Sequence, residues 1–303
     1  MYQEGQVLSL SIAASSLSID VLIRKVQMPM TLCAVMVVEV LRAPEDIPVP
    51  KTAILKLYDL RVAEPNRTRG WLANLTTGVE SQVHEFSCSG DARDYLEKLR
   101  EVKDDQKSQG CAKIEDFLSM ISSFDREYTA YTTLHQHQGK LIPRLHSWVN
   151  FTISQEDGTV GDSPALFNVP GILIEYIDGF LMSDLASNTN RSDWSYLVGR
   201  GVKVTGEILN KSSILNHDVR PENMMVCQDT SEERGYRVVM FDFDQCRLRK
   251  DDETDEDWKL SKCLENEEGS IGKAMEFILW DQSGFKLNFE HPGTWYPSAK
   301  RDI

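Results

Sequence analysis

Between Ile214 and Arg247 the chain reads ILNHDVRPENMMV, then a polar interruption, then YRVVMFDFDQCR. Three oxygen-bearing side chains stand out by type and spacing: Asp218, Asn223 five residues on, and Asp242 at the end of an apolar run. Magnesium is a hard cation that takes carboxylate and carbonyl oxygens while keeping positions open for phosphates and water, so such a trio suits a magnesium-nucleotide site. The trio works only if the chain brings its members together. Met224–Cys227 and Arg237–Phe241 are apolar and partly β-branched, and the QDTSEERG between them is polar and ends in Gly235. That pattern predicts two strands and a turn, with Asn223 and Asp242 meeting at one end of the hairpin.

DVRPEN is similar to the DLKPEN segment of protein kinases, and MFDFDQ stands in the place of their DFG element, so the chain resembles a protein-kinase-like fold. More closely, DGFLMSDL, the ILN…RPEN segment and FDFDQCR resemble a fungal group of protein-kinase-like proteins, over roughly residues 50 to 280. The resemblance implies an α+β, two-lobed fold with a shortened C-terminal lobe. Residues 1–174 would form the N-terminal lobe, a β-sheet plus a helix with an insertion at 61–112. Residues 175–303 would form the mainly helical C-terminal lobe with the catalytic loop. The roles it implies are specific. Asp218 would accept or orient the proton of an attacking hydroxyl, Arg220 would neutralise the transferred phosphoryl group, and Asn223 and Asp242 would hold Mg²⁺. The backbone of Glu175, Tyr176 and Ile177 would read the adenine edge of ATP.

Two elements must supply the rest of such a site. Thr52–Leu60 reads as a strand, apolar except for Lys56 near its centre, and a buried ammonium is costly unless paired. Lys56 resembles the kinase lysine that holds the nucleotide's phosphates, although a lone lysine on an edge strand would simply point to solvent. Lys113–His137 reads as a helix with Ile114, Phe117, Leu118, Ile121, Phe124, Tyr128 and Tyr131 on one stripe. Glu127 falls on or beside that stripe, and Asp116 and Asp125 lie further round. We pair Glu127 with Lys56, the pairing the resemblance also implies; the competing reading is a surface glutamate at the stripe's margin.

Further elements follow by pattern. Residues 19–26 and 32–41 read as two strands joined by QMPMT, where a kinase has a glycine-rich loop and this chain has no glycine. Residues 139–153 read as another strand, 156–164 as a turn-rich loop, and ILIEYI as a buried strand leading to Asp178-Gly179 and a short helix. A helix from Ser192, with Ser-Asp as N-cap, to about Lys211 delivers the chain into the catalytic loop. The acidic run Asp251–Trp258 reads as a solvated loop or helix start, and Ser270–Trp280 as a terminal helix.

Departures from the kinase pattern cluster near the site. His217 stands where the kinase loop has arginine, and a buried structural imidazole is its expected role. Asp244 replaces the DFG glycine and reads as an exposed turn residue. No APE element follows, and there is no room for the helices that bind peptide substrates. Hydrophobic strand plus Asp-x-Asp also resembles the haloacid-dehalogenase nucleophile motif, but the chain after it is too short for that parallel sheet.

Composition sets bounds on partners. A formal charge of -14 without a basic cluster argues against nucleic acid or anionic membrane, both of which demand Lys/Arg-rich surfaces. The six cysteines lie far apart with no CxxC pair, against a zinc knuckle or a disulfide scaffold. Val7–Ile19 is apolar but lacks a preceding positive charge and is broken by serines, so it reads as mature chain of a cytoplasmic protein. No uninterrupted apolar span suits a membrane helix. Two functions remain: an ATP- and magnesium-dependent phosphotransferase acting on a protein or small-molecule hydroxyl, or a catalytically silent kinase-like module that binds nucleotide or protein partners.

Overall fold

The computed structural model describes residues 2–12, 15–30, 33–45, 47–59, 62, 109–152 and 168–290, with side chains from 119 onward in the helix that starts at Gln109. Most of the expected insertion at 61–112, the loop 156–164 and the tail beyond 290 lie outside the described residues. The chain divides into two compact units, one of Met1–Asp125 with Leu145–Tyr176 and one of Arg126–Arg144 with Ile177–Ile303.

In the first unit, alternation of apolar and polar residues builds strands with one inward face. They are β1 (Val7–Ile12), β2 (Ser18–Val26), β3 (Ala34–Arg42), β4 (Thr52–Leu57), β5 (Leu145–Thr152) and β6 (Asn168–Glu175). They close into an antiparallel barrel in the order β1-β2-β3-β4-β6-β5, with β1 pairing β5 at Leu10↔Phe151 to complete the ring. Leu8 and Leu10, Ile19, Val21 and Ile23, Met36 and Val38, and Leu55 and Leu57 fill the interior. Burying each such side chain contributes about 1.5–3 kcal/mol. Register shifts between β2 and β3, at Asp20/Val21 and Ile23/Lys25, mark the bends that closure needs. Within the apolar stretch Val7–Ile19, residues 7–12 form β1 and residues 18–19 begin β2, both in the barrel wall.

β4 lies between β3 and β6, so Lys56 is on an interior strand and not on an edge. Its neighbours Leu55 and Leu57 point into the barrel, and Lys56 shares the outer face with Ile54. That face is covered: Phe124 packs edge-on to Tyr58 with centroids 5.5 Å apart and tilts against Trp148 at 5.7 Å. Lys56 is consequently buried, and its ammonium lies 5.7 Å from the Tyr58 ring centroid. Opposite Leu57, a Cβ on Gly171 would lie 2.5 Å from the Lys56 carbonyl oxygen, so only glycine lets β6 come this close to β4.

Helix α1 (Gln109–Thr133) carries the division between the units, which falls after Asp125, and a 3-10 turn at His135–His137 follows it. The second unit contains a three-stranded sheet in the order β10-β9-β7, from β7 (Gly179–Leu181), β9 (Met224–Gln228) and β10 (Tyr236–Met240). A two-stranded ribbon joins β8 (Ile214–Asn216) to β11 (Cys246–Leu248). Where the sequence predicts a short helix directly after Asp178-Gly179, the chain first forms β7, then a 3-10 turn at Met182–Asp184 and a single helical turn at Leu185–Asn188. Helix α2 (Trp194–Leu209) buries Trp194, Leu197, Val198, Val202, Thr205, Ile208 and Leu209, which recur along one helical face. It starts two residues later than Ser192, because Arg191–Asp193 is a 3-10 turn, and no side chain caps it. Helices α3 (Asp255–Glu265) and α4 (Glu267–Ser283) complete the unit, with Ile271, Met275 and Leu279 of α4 buried. Among the described residues no helix is long and apolar enough to cross a membrane.

Candidate functional site

The hairpin register decides the geometry. β9 and β10 pair from Tyr236↔Gln228 to Met240↔Met224, around Gly235 at φ +73°, where a left-handed turn favours glycine. One step beyond the last pair, the Phe241 amide donates to the Asn223 carbonyl at 3.0 Å, so Asn223 and Asp242 lie at the same end of the hairpin. Asp242 leaves the strand at φ +67°, which turns the chain sharply at that residue.

Upstream, Pro221 opens a 3-10 turn ending at Asn223, a position where proline's missing N–H costs nothing. Asn223 is buried, and its Nδ2 donates to both the carbonyl and Oδ2 of Asp218, each at 2.9 Å. With Nδ2 committed, Oδ1 is the atom left to face a cation. Arg220 Nη2 lies 3.2 Å from the same Asp218 oxygen. From the other side, the Asp218 amide donates to Oδ1 of buried Asn216 at 2.9 Å. Asp218, Arg220 and Asn223 thus form one hydrogen-bonded group.

Helix α1 holds the segment after Asp242. Glu127 is fully buried, as a carboxylate on the apolar stripe and not at its margin, and its Oε1 accepts a long bond of 3.4 Å from the Phe243 amide. Phe243 is itself buried, edge-on to Tyr131 at 5.4 Å, and Arg126 Nε donates to the Asp244 carbonyl at 2.7 Å. Asp244 lies half-buried in a turn. Lys56 and Glu175 belong to the first unit, as does Tyr176, which is exposed; Ile177 belongs to the second and is buried with Cys227 and Val239.

His217 departs from expectation. It is exposed, not a buried imidazole, and its Nδ1 lies 2.6 Å from Glu265 Oε2. The acidic run Asp251–Trp258 is where α3 begins, at Asp255, the helix start its sequence suggests. Arg247 forks onto both oxygens of Glu253 at 2.8 and 2.9 Å, and these bonds hold the Glu253 carboxyl at about 2, well below the usual range. Arg249 reaches Asp255 at 2.6 Å and lowers that carboxyl too, and both guanidinium groups lie over Trp258.

Sequence reasoning missed three residues that support the loop: Asn216, Lys262 and Glu267, all buried polar groups. Lys262 follows Trp258 by four positions, on the buried face of α3, and that spacing was the available signal. Among the described residues no group of three or more His, Cys, Asp or Glu side chains is placed to hold a metal.

No family model and no curated protein matches the sequence. Among solved structures, the chain is similar to the Rio2 kinase of Chaetomium thermophilum, determined as an ADP/Mg²⁺-phosphoaspartate complex, at 12% identity and a TM-score of 0.42. The match covers 89% of this chain and 59% of that one, so this chain spans less than two thirds of that kinase's length.

Proposed function

We propose that the protein is an ATP- and magnesium-dependent phosphotransferase of protein-kinase-like type, moving the γ-phosphate to a hydroxyl on a protein or a small molecule. The observation that carries this reading is the hairpin end, where Asn223 and Asp242 lie on either side of the Phe241–Asn223 backbone bond while Asn223 also holds Asp218 through two bonds. Asn223 and Asp242 would hold Mg²⁺, which when bound neutralises phosphate charge. Asp218, its oxygen held between Asn223 and Arg220, would orient the acceptor hydroxyl and take its proton. Arg220 sits beside that carboxylate and would turn to the transferred phosphoryl group. The proposal extends to Lys56 as the phosphate-binding cation with Glu127 as its partner, and to the Glu175–Ile177 backbone as the adenine reader. The two lobes would be the N-terminal 1–174 and the C-terminal 175–303, in a cytoplasmic protein.

The glycine-free sequence QMPMT at 27–31, with Met28 exposed, favours the second reading of a silent module that binds nucleotide or protein partners. Thermal melting with Mg²⁺ and ATP, together with release or transfer of labelled γ-phosphate, separates the two. Magnesium-dependent stabilisation by ATP should disappear in Asp242→Asn, while Asp218→Asn should keep it and slow transfer by roughly 10²–10⁴-fold. Stabilisation without any transfer from the parent supports the silent module. Absence of stabilisation overturns the phosphotransferase reading and leaves the silent module only as one that binds protein partners.

A further inference from the structure

Lys262 has no exposure to water. Its ammonium donates to the Leu209 carbonyl at 3.1 Å, to the Ile214 carbonyl, and to Glu267 Oε2 at 2.6 Å, which uses all three of its hydrogens. The Trp258 ring covers it at 5.2 Å. The other Glu267 oxygen, Oε1, accepts the Asn216 amide at 2.7 Å, and Asn216 Oδ1 in turn accepts the Asp218 amide at 2.9 Å. A continuous path of hydrogen bonds therefore runs from Lys262 through Glu267 and Asn216 to Asp218.

Stability does not account for the pair. Taking two charges out of water costs about as much as their attraction returns, and a well-packed apolar pair of similar volume would hold the fold as well or better. Burial in fact pulls the Lys262 ammonium below its usual range and pushes the Glu267 carboxyl above its own, while each charge opposes the other's neutralisation. What an apolar pair could not do is direct hydrogen bonds. The ammonium binds carbonyls at the end of α2 and the start of β8, and the carboxylate binds the last amide of β8, so together they set the path of the backbone that enters the catalytic loop.

We infer that Lys262 and Glu267 are positioning residues for Asp218, acting through Asn216 on the orientation of its loop. The inference rests on the phosphotransferase reading for what Asp218 does, but not for how its loop is held. The test uses the full chain with Lys262→Met, Glu267→Gln, and the double change Lys262→Met with Glu267→Leu. The double variant removes both charges at once, so it should fold where either single change leaves an unpaired buried charge. Amide exchange at Asn216 and Asp218 should then quicken by about tenfold or more, while β9 and β10 keep parent protection. The kcat for phosphate transfer should fall by about 10²-fold with KM for magnesium-ATP nearly unchanged, as expected for a misplaced group.

Parent-like exchange at those two amides in a folded double variant overturns the inference, and so does parent-like kcat. A parent that transfers no phosphate overturns the phosphotransferase reading separately. In that event the exchange measurement alone decides whether the pair holds the loop.

Discussion

Asp218 carries contacts of three kinds at once: Asn223 and Arg220 on its carboxylate, and Asn216 on its amide. A carboxylate fixed on so many sides has little rotational freedom left, which is the physical sense of preorganisation. The place of Asn223 at the end of the hairpin was legible from two apolar runs around a polar turn, while its bonds to Asp218 were not. The buried Lys262 was not, since the acidic residues just before it signal solvation. Those acids have their own use. The folded Glu253 carboxyl titrates at about 2 against an ordinary 4.5, so it stabilises the native state above pH 4.5 and loses that contribution as pH falls toward 2. The melting-temperature gap between the parent and Glu253→Gln should therefore be constant from neutral pH to about 5 and close on further acidification.

At the scale of elements, long periodic stretches were read correctly and short or interrupted ones were not. β2, β3, the β9–β10 hairpin and α2 announce themselves by repeating apolar spacing. β7, β8 and β11 have only three residues each, too few for a period to show, and exist because longer neighbours offer them partners. β1 alternates, burying Leu8 and Leu10, but its serines disguise it. Termini are similarly local. The α3 N-terminus is capped by Thr254, whose Oγ1 accepts the Asp257 amide at 3.1 Å, and three acidic residues occupy its first turn. Thr254→Ala should cost about 1 kcal/mol in urea unfolding, and because α3 carries Lys262 the Asp218 amide should lose protection with it.

For the molecule as a whole, the barrel is the feature that local sequence conceals most thoroughly. Its closing contact joins Leu10 to Phe151, and no short-range pattern encodes a pairing across that separation. Removing β1 would leave β2 and β5 with unpaired backbone groups, and such edges template association with other chains. A variant lacking residues 1–12 should therefore form concentration-dependent aggregates, measured by light scattering, under conditions that leave the parent monodisperse. A different tension is set by Asp242, which occupies left-handed backbone where an L residue costs roughly 1–2 kcal/mol and glycine nothing. Selection for heat resistance alone would tend to replace this carboxylate with glycine. A lineage that keeps it tolerates a softer molecule in exchange for whatever the charge accomplishes there.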